Sequence, residues 1–492
     1  MEATAPRTHL PNQTVRFGLV IGAILIIWLF VPVSPGYVAL FAVIGLFMLA
    51  LKKPVWGIAA FLLSQLSITS FMVNLPIGPS ISLRLLLLLL SLLIVWLYLP
   101  HKKVTLTARN KAIIIPTIYL TVWSLVANMF NSGLDFTFKD LRNMMVGLLI
   151  VILLPAVSKN LKELKILSAV AFVALTASAA IGIMQHYGIL GMDRQTIVPG
   201  FLDPVSGFGR VPGITESFLN LSYALTVGIL TALGIYAARG LKSEYTTILM
   251  AAMLVMGLAL YFTFTRSNYL ALVMGFGAMF LFLKTRIKAV VILVLVLSAV
   301  SFYEFSGIGE NQFLPGRSEE SQDESTLSRK VLWQAGMAIA TDNPILGIGG
   351  DRFKTVSPQY ASQVAPELME QQEEYWSYRD LGKQQPHNDY MFFAISYGVP
   401  ALIAYMWLLI ATIRNFLDSY RLSKSPFIRG ISLGLATSTI SYSVNAFYHN
   451  MMITFPLFWI LVGLSVAVAN LALQRQVPVI VKPNNGKVRE LP

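Results

Sequence analysis

The chain has 492 residues and no cysteine; 55% of its residues are hydrophobic, 12% are charged, and the formal net charge is +13. Apolar runs such as 290–300 are too continuous for an ordinary soluble domain, and the lack of cysteine excludes disulfides and thiolate metal sites. We therefore expect an all-α, polytopic integral membrane protein.

Apolar windows recur along most of the chain, and many are long enough to cross a bilayer, which takes about 20 residues. Two of the windows are short, so the sequence predicts about 12–14 transmembrane helices. In chain order the windows are 15–33, 37–51, 54–73, 81–99, 112–130, 141–157, 164–187, 217–237, 245–264, 267–283, 287–305, 389–413, 429–447 and 452–473.

The spacing of these windows divides the chain into four regions. The connection before the window at 389 is unusually long, and it holds half of the 24 acidic residues. The predicted regions are an N-terminal transmembrane bundle (1–187), helices that carry arginine motifs (188–305), a long outer loop (306–388), and C-terminal helices with a cytoplasmic tail (389–492).

The long outer loop contains patterns typical of local structure. Thr326–Thr341 is predicted as a helix that stops before Asn343-Pro344, and Pro366–Asp380 as a surface helix with an aromatic end. Between them, Gly347–Gly350 predicts a tight turn. Because no strand precedes this turn, its GxG pattern is weak support for dinucleotide binding.

The positions of lysine and arginine predict the orientation in the membrane. Most of the 37 lysines and arginines lie in the two tails and in alternate short connections, which the positive-inside rule places in the cytoplasm. Both termini are therefore expected to be cytoplasmic. The positive charge is interpreted as an orientation signal with contact to anionic membrane lipids, and nucleic acid is not an expected partner.

A single arginine interrupts an otherwise uncharged apolar stretch. Between Tyr245 and Leu283, Arg266 is the only charged residue, and a charge at membrane depth is costly. The polar residues Thr265–Asn268 are expected to break the stretch into two spans, which moves Arg266 to the outer face. Arg210 is predicted at the same face. Two guanidinium forks suit a diphosphate, and anchoring to lipid headgroups is the alternative for each.

Three of the five histidines are predicted at the outer face: His186, His387 and His449. His387 follows Gln385-Pro386 where the long loop re-enters the membrane. A neutral imidazole there can accept a proton from a hydroxyl group; an ordinary hydrogen-bonded histidine at the interface is the alternative. The other two are interpreted as interfacial hydrogen-bonding residues.

Further outer-face residues are candidates for supporting roles. Arg84 and Arg142 are interpreted mainly as headgroup anchors. For Arg329, on the predicted loop helix, headgroup anchoring and a role in the site are both kept as interpretations. Glu216 and Asp389 are placed to orient a neighbouring arginine or histidine, although surface solvation is favoured for each alone. No DxD or HExxH pattern occurs, so neither a metal nor another cofactor is expected.

Five segments resemble, in their order, the O-antigen ligase/polymerase superfamily of bacterial envelope enzymes. Their outer placement and the long loop before the His-Asn pair also match, and the resemblance covers roughly residues 200–470. The segments are Gly209-Arg210-Val211-Pro212-Gly213, Thr263-Phe264-Thr265-Arg266-Ser267, Trp333, Asn343-Pro344-Ile345-Leu346-Gly347-Ile348-Gly349 with Phe353, and Pro386-His387-Asn388-Asp389-Tyr390 with Gly398 and Pro400.

The resemblance implies an enzyme at the outer face of the bacterial cytoplasmic membrane. Such enzymes transfer a glycan from undecaprenyl diphosphate to a hydroxyl of a second glycan, with inversion and without a metal. By this match Arg210 and Arg266 would bind the donor diphosphate, and His387, followed by Asn388, would orient or deprotonate the acceptor hydroxyl. The acceptor is a lipid-linked glycan in a polymerase and a lipid core in a ligase, and we favour the polymerase. Other polysaccharide-assembly proteins are candidate partners.

The chain departs from the family pattern in two places. Many relatives have Ser-Arg-Gly where this chain has Thr265-Arg266-Ser267, and many have Pro-Asn where Phe218-Leu219-Asn220 keeps only the asparagine. The identity of the glycan therefore stays open.

A transporter or lipid-linked oligosaccharide flippase is the alternative of another class, but it predicts charges near mid-bilayer. A scaffold for envelope assembly is a third alternative.

Overall fold

The computed structural model describes residues 53–66, 72–73, 81–82, 108–189, 210–215, 217–283, 319–350, 352–367, 384–452 and 455–474. Within these ranges the chain forms twelve helices and one pair of very short strands, which confirms the predicted all-α class. The helices are α1 (Pro54–Leu66), α2 (Ala108–Asn131), α3 (Leu134–Val157), α4 (Leu161–Tyr187), α5 (Phe218–Ala237), α6 (Ser243–Phe262), α7 (Arg266–Phe280), α8 (Glu319–Asp342), α9 (Phe353–Val364), α10 (Asp389–Leu422), α11 (Pro426–Asn445) and α12 (Leu457–Gln474).

The two strands occupy parts of windows that were expected to be helical. β1 (Met72–Val73) pairs antiparallel with β2 (Ile81–Ser82). The prediction of one helix over 54–73 is therefore too long, since α1 ends at Leu66, and the window 81–99 begins in a strand. The reason is that a short apolar run fits a buried strand as well as a helix.

Five described helices are long and apolar enough to cross a membrane: α2, α4, α5, α6 and α10. Three further apolar helices, α1, α3 and α12, are shorter. These helices confirm a polytopic membrane protein. The windows 15–33, 37–51 and 287–305 and both termini lie outside the described residues, so the helix count and the cytoplasmic termini stay predictions.

Helix α11 lies at the centre of the described bundle, and its most extensive contact is with α5. Gly430 and Gly434 on α11 face Gly234 on α5, and a Cβ added to Gly434 would lie 2.5 Å from Thr231 Cα. Membrane helices associate closely through such small residues. Polar side chains in α11 bond within the helix, as Thr439 does to a carbonyl one turn earlier at 2.8 Å.

Helix α10 is broken at Gly398, where φ is 82° and ψ is 173°. Three carbonyls before the break accept hydrogen bonds from distant parts of the chain. They are Ile395 (from Ile348 N–H, 2.9 Å), Ser396 (from Gly349 N–H, 2.9 Å) and Tyr397 (from Trp123 Nε1–H, 2.9 Å). After the break, Val399 N–H donates to Pro344 O at 2.8 Å.

The chain bends within Gly347–Gly350, where a tight turn was predicted, and this segment docks into the break of α10. Gly347 and Gly349 have φ values of 62° and 92°, and a Cβ on Gly347 would lie 2.4 Å from Ile395 O. Gly350 N–H also donates to Asn128 Oδ1 of α2 at 2.9 Å. The long outer loop is thus fastened to two helices of the bundle.

The long outer loop is more helical than expected. The helix predicted over Thr326–Thr341 is found, and it begins earlier, at Glu319. Helix α9 was not anticipated because Pro358 lies inside it. Its apolar face, which includes Phe353, is buried against α8, and this packing outweighs the cost of the proline. Only the first two residues of the helix predicted over Pro366–Asp380 are described, and both are helical.

Candidate functional site

Four segments that are distant in the sequence meet at the end of the bundle where α7 and α10 begin. Hydrogen bonds made by these segments, or by the residues directly beside them, hold the four together. Each segment contains or borders a candidate site residue predicted from the sequence. The segments are 210–215, the turn 263–266 between α6 and α7, the approach 384–389 to α10, and the connection 446–452 after α11.

The first segment is held by α4 and α6. The side chain of Gln185 donates to Gly213 O at 3.0 Å and accepts from Gly213 N–H at 2.9 Å. Val211 N–H donates to Phe262 O, at the end of α6, at 3.4 Å. The residue before Val211 is therefore placed beside the turn that leads into α7.

That residue is Arg210, and its side chain is half-buried. The guanidinium carbon lies 4.5 Å from the centre of the Phe218 ring, at the start of α5. Stacking uses the flat face of a guanidinium, whereas its N–H groups point outward in the plane. Phe218 thus fixes the plane of the guanidinium.

The predicted break in the long apolar stretch is confirmed. Helix α6 ends at Phe262 and α7 begins at Arg266, and the chain turns at Phe264, whose φ is 49°. The half-buried Arg266 lies at the N-terminal end of α7, where the first N–H groups have no partners within the helix. A guanidinium beside the positive end of a helix dipole favours an anion at this place.

His387 is held in an uncommon backbone conformation. Its φ is 49°, a left-handed value that costs a non-glycine residue about 1–3 kcal/mol. On one side, Trp333 Nε1–H of α8 donates to Pro386 O at 2.9 Å. On the other side, Asn388 caps α10 and its N–H donates to Asn450 Oδ1 at 2.8 Å. These contacts hold the backbone on both sides of His387.

The pKa values of two histidines reveal which charges are close to each other. Burial and the charge of Arg329 lower the pKa of His387 from 6.5 to about 4. Burial and the charges of Arg329, His387 and Arg210 lower the pKa of His449 from 6.5 to about 3. Since electrostatic effects on a pKa weaken with distance, these four side chains lie in one region of the protein. Both imidazoles are neutral at pH 7.

His449 is at the centre of this group, which the sequence analysis did not anticipate. Its side chain is only 9% exposed, and Nε2 lies 2.9 Å from Ser267 Oγ. The expected hydrogen bond exists, but it joins His449 to the residue that follows Arg266. The one local signal for this role was the repeated His-Asn pair, at 387–388 and again at 449–450.

The carboxylate of Asp389 is buried and faces the connection 446–452. It accepts from Met452 N–H at 3.3 Å and from the hydroxyls of Tyr442 and Tyr405 at 3.3 and 3.5 Å. Asp389 N–H also donates to Ala446 O at 2.8 Å. The described contacts of Asp389 thus fasten this connection to α10, beside both histidines.

The other predicted supporting residues are only partly described. Arg142 lies in α3, but its side chain is outside the described part. Glu216 and Arg84 lie outside the described residues. Among the side chains that are described, no group of three or more histidines, aspartates or glutamates is placed to hold a metal ion.

Comparison with known proteins identifies one family. Residues 251–406 match the family model of O-antigen ligase, and a comparison with curated proteins gave no match. The matched stretch contains Arg266, Arg329 and His387, whereas Arg210 and His449 lie outside it. The match confirms the resemblance to the O-antigen ligase/polymerase superfamily. It supports ligase/polymerase-type function in a bacterial membrane, with a lipid-linked glycan and an acceptor as substrates.

Proposed function

We propose that this protein, whose residues 251–406 match the O-antigen ligase family, is a surface-polysaccharide polymerase. It transfers a glycan from an undecaprenyl-diphosphate-linked donor to a hydroxyl of a second lipid-linked glycan. The reaction takes place at the outer face of the cytoplasmic membrane, and both termini are cytoplasmic. The distribution of lysine and arginine supports this orientation.

One arrangement carries the proposal: the ring of the buried His449 lies 2.9 Å from Ser267, next to Arg266. Asn450, beside His449, accepts a hydrogen bond from the N–H of Asn388, next to His387. The charges of Arg210 and Arg329 add to burial in lowering the pKa of His449. This arrangement supports a site with phosphate-binding cations beside a neutral base. Arg266 begins α7 and His387 lies just before α10, so both are at helix ends, which favours chemistry at a membrane face over a transport path through the bilayer.

In the proposed reaction the acceptor hydroxyl attacks the anomeric carbon of the donor sugar. Its proton passes to the neutral imidazole of His387 while the bond between the anomeric carbon and the diphosphate oxygen breaks. The electron pair leaves with the diphosphate, whose growing charge Arg210 and Arg266 stabilise. A single displacement of this kind inverts the configuration at the anomeric carbon.

The pH dependence of kcat/KM tests the protonation state of His387. Proton binding would remove the base, so activity is lost as the pH falls through its pKa of about 4. Because kcat/KM reports the free enzyme, it should stay constant from about pH 8 down to about pH 5.5. An acid limb centred near the ordinary histidine value would contradict the lowered pKa of His387 in the folded protein.

The free energy of unfolding also decreases when the pH falls, and this decrease sets the control for the pH experiment. The unfolded chain binds a proton at His387 near pH 6.5 and the folded chain near pH 4. Between these values the unfolded state binds more protons, so the free energy of unfolding decreases as the pH falls. Initial rates should therefore be compared only at pH values where the fraction of folded protein is unchanged.

Replacing Trp333 with phenylalanine should lower kcat while keeping the ring in place. The change removes the hydrogen bond to Pro386 O, which holds the residue before His387. Loss of one such bond predicts about a 2- to 12-fold decrease. Trp407→Phe is the matched control, because it removes an exposed bond to Ala112 O. Equal rates for the two variants would argue against positioning by Trp333.

Replacing Arg266 with lysine should lower kcat/KM for the donor. Lysine keeps the charge but loses the planar fork that binds two phosphate oxygens together. Loss of a charged hydrogen bond predicts a decrease of about 10- to 100-fold. Arg109→Lys, which keeps the charge opposite Asp418, serves as control. Wild-type kinetics in Arg266→Lys would exclude paired binding of the diphosphate.

Reconstitution of the purified protein tests the whole proposal. The protein is incubated with a lipid-linked repeat unit, with and without a lipid-core acceptor. Longer lipid-linked products support the polymerase, whereas products found only on the lipid core identify a ligase. If neither forms and the repeat unit crosses the bilayer of proteoliposomes, the protein is a flippase and the proposal is wrong.

A further inference from the structure

His449 has no direct place in the proposed transfer step, yet it contacts the helix that carries the donor-binding arginine. Its Nε2 lies 2.9 Å from Ser267 Oγ, and Ser267 directly follows Arg266. His449 itself comes from the connection after α11, which Asp389 and Asn388 tie to the start of α10. The contact therefore links the His387 side of the site to the Arg266 side.

The first turn of α7 is held at two successive positions. Ser267 contacts His449, and the next residue, Asn268, bonds to side chains on two other helices. Asn268 Nδ2–H donates to Ser222 Oγ of α5 at 2.6 Å, and Asn268 Oδ1 accepts from Asn445 Nδ2–H of α11. Asn268 and Asn445 are fully buried. Together these bonds fix the rotation of α7 and thus the direction in which Arg266 leaves it.

The contact with His449 is made by the side-chain hydroxyl of Ser267, in the first turn of α7. Burial and the surrounding positive charges also keep the pKa of His449 low, at about 3. The ring is therefore neutral and bonds to Ser267 without adding another cation beside Arg266 and Arg210.

We propose that His449 is a positioning residue that aims the Arg266 guanidinium at the donor diphosphate through its hydrogen bond to Ser267. This inference rests on the proposed function of Arg266. A long arginine side chain loses rotamer entropy when it binds. Fixing the backbone from which it extends reduces the number of orientations, so the fork meets the diphosphate more often in the productive geometry.

Binding of undecaprenyl diphosphate to the purified full-length protein tests the inference. Ser267→Ala and His449→Phe each remove the hydrogen bond, and each should weaken the affinity about 3- to 10-fold. The double variant should lose no more than the worse single variant, because both changes break the same contact. His449→Gln, whose amide can reach Ser267, should restore most of the affinity. The KM for the acceptor should stay unchanged.

Controls separate positioning from a general loss of structure. Ser168→Ala removes a hydroxyl that bonds within α4 at 2.8 Å, and His186→Phe keeps an aromatic ring against Phe262. Neither should change the affinity. Tm values of all variants are measured first, and comparison of His449→Phe with His449→Gln then distinguishes a lost hydrogen bond from a lost ring.

The outcomes distinguish failure of the inference from failure of the proposed function. If Arg266→Ala loses the ligand while Ser267→Ala and His449→Phe bind as the wild type does, the inference is wrong and the donor site stands. Multiplicative losses in the double variant would also overturn it, since the two residues would then act independently. If the wild-type protein does not retain undecaprenyl diphosphate, both the proposed function and the inference fail.

Discussion

Replacing His387 with alanine should abolish most polymer formation while the protein still inserts into the membrane. General-base catalysis contributes about 10²–10⁴-fold to a rate, so kcat should fall by that factor. The donor affinity should change little, because the arginines proposed to bind the diphosphate are untouched. In cells, lipid-linked repeat units should accumulate and polymer should disappear, which lipid extraction and gel electrophoresis measure.

Two further variants refine the His387 experiment. His387→Gln keeps a polar side chain that can bond to a hydroxyl but cannot accept its proton, so its kcat should match that of the alanine variant. His186→Ala serves as the control, because it removes another histidine predicted at the outer face, one that stacks on Phe262 with ring centres 3.8 Å apart. Polymer of unchanged amount and length in His387→Ala would rule out the acid–base role.

The break before Arg266 could be predicted because its cause is local. A charged residue and three polar neighbours within an apolar stretch cannot remain at the bilayer centre without partners, so a turn between Phe262 and Arg266 follows from the sequence alone. The bend at Gly347–Gly350 was predictable because its cause is local too. Several closely spaced glycines favour left-handed conformations that other residues avoid.

Convergence of the site could not be predicted, because it depends on contacts between distant segments. Val211 N–H bonds to Phe262 O, which places the segment that contains Arg210 beside the turn before Arg266, and neither segment contains a pattern that predicts this contact. The same holds for His449, whose importance comes from Ser267, far away in the sequence. Sequence order assigned these residues to one membrane face, and packing between helices brought them together.

The break within α10 was missed for a different physical reason. A single glycine inside an apolar window is common in membrane helices, so Gly398 alone does not predict an interruption. The interruption exists because the outer loop supplies replacement hydrogen bonds for the carbonyls of Ile395 and Ser396. Predicting the interruption would therefore have required two segments together: the glycine in the window and the Gly347–Gly350 segment of the loop.

Replacing Gly398 with alanine should destabilise the protein and also inactivate it. With φ of 82° and ψ of 173°, Gly398 occupies a region that is almost exclusive to glycine, and strain there costs about 1–3 kcal/mol. A Cβ would also lie 2.0 Å from Ile345 O, so the docked loop must move. Each hydrogen bond lost with it adds about 0.5–1.5 kcal/mol, and we expect a total of about 3 kcal/mol or more.

Loss of docking should displace His387, the proposed base, through α8. The turn that docks at Gly398 follows α8 directly, and α8 carries both Trp333, which bonds Pro386 O, and Arg329, whose charge acts on His387. Gly398→Ala should therefore lower Tm, expose the outer loop to protease and reduce kcat together. Gly257→Ala is the matched control, because a Cβ there meets no atom within 4 Å and alanine favours a helix. A Gly398→Ala protein with wild-type Tm and wild-type polymer would mean that the docked loop does not hold His387 in place.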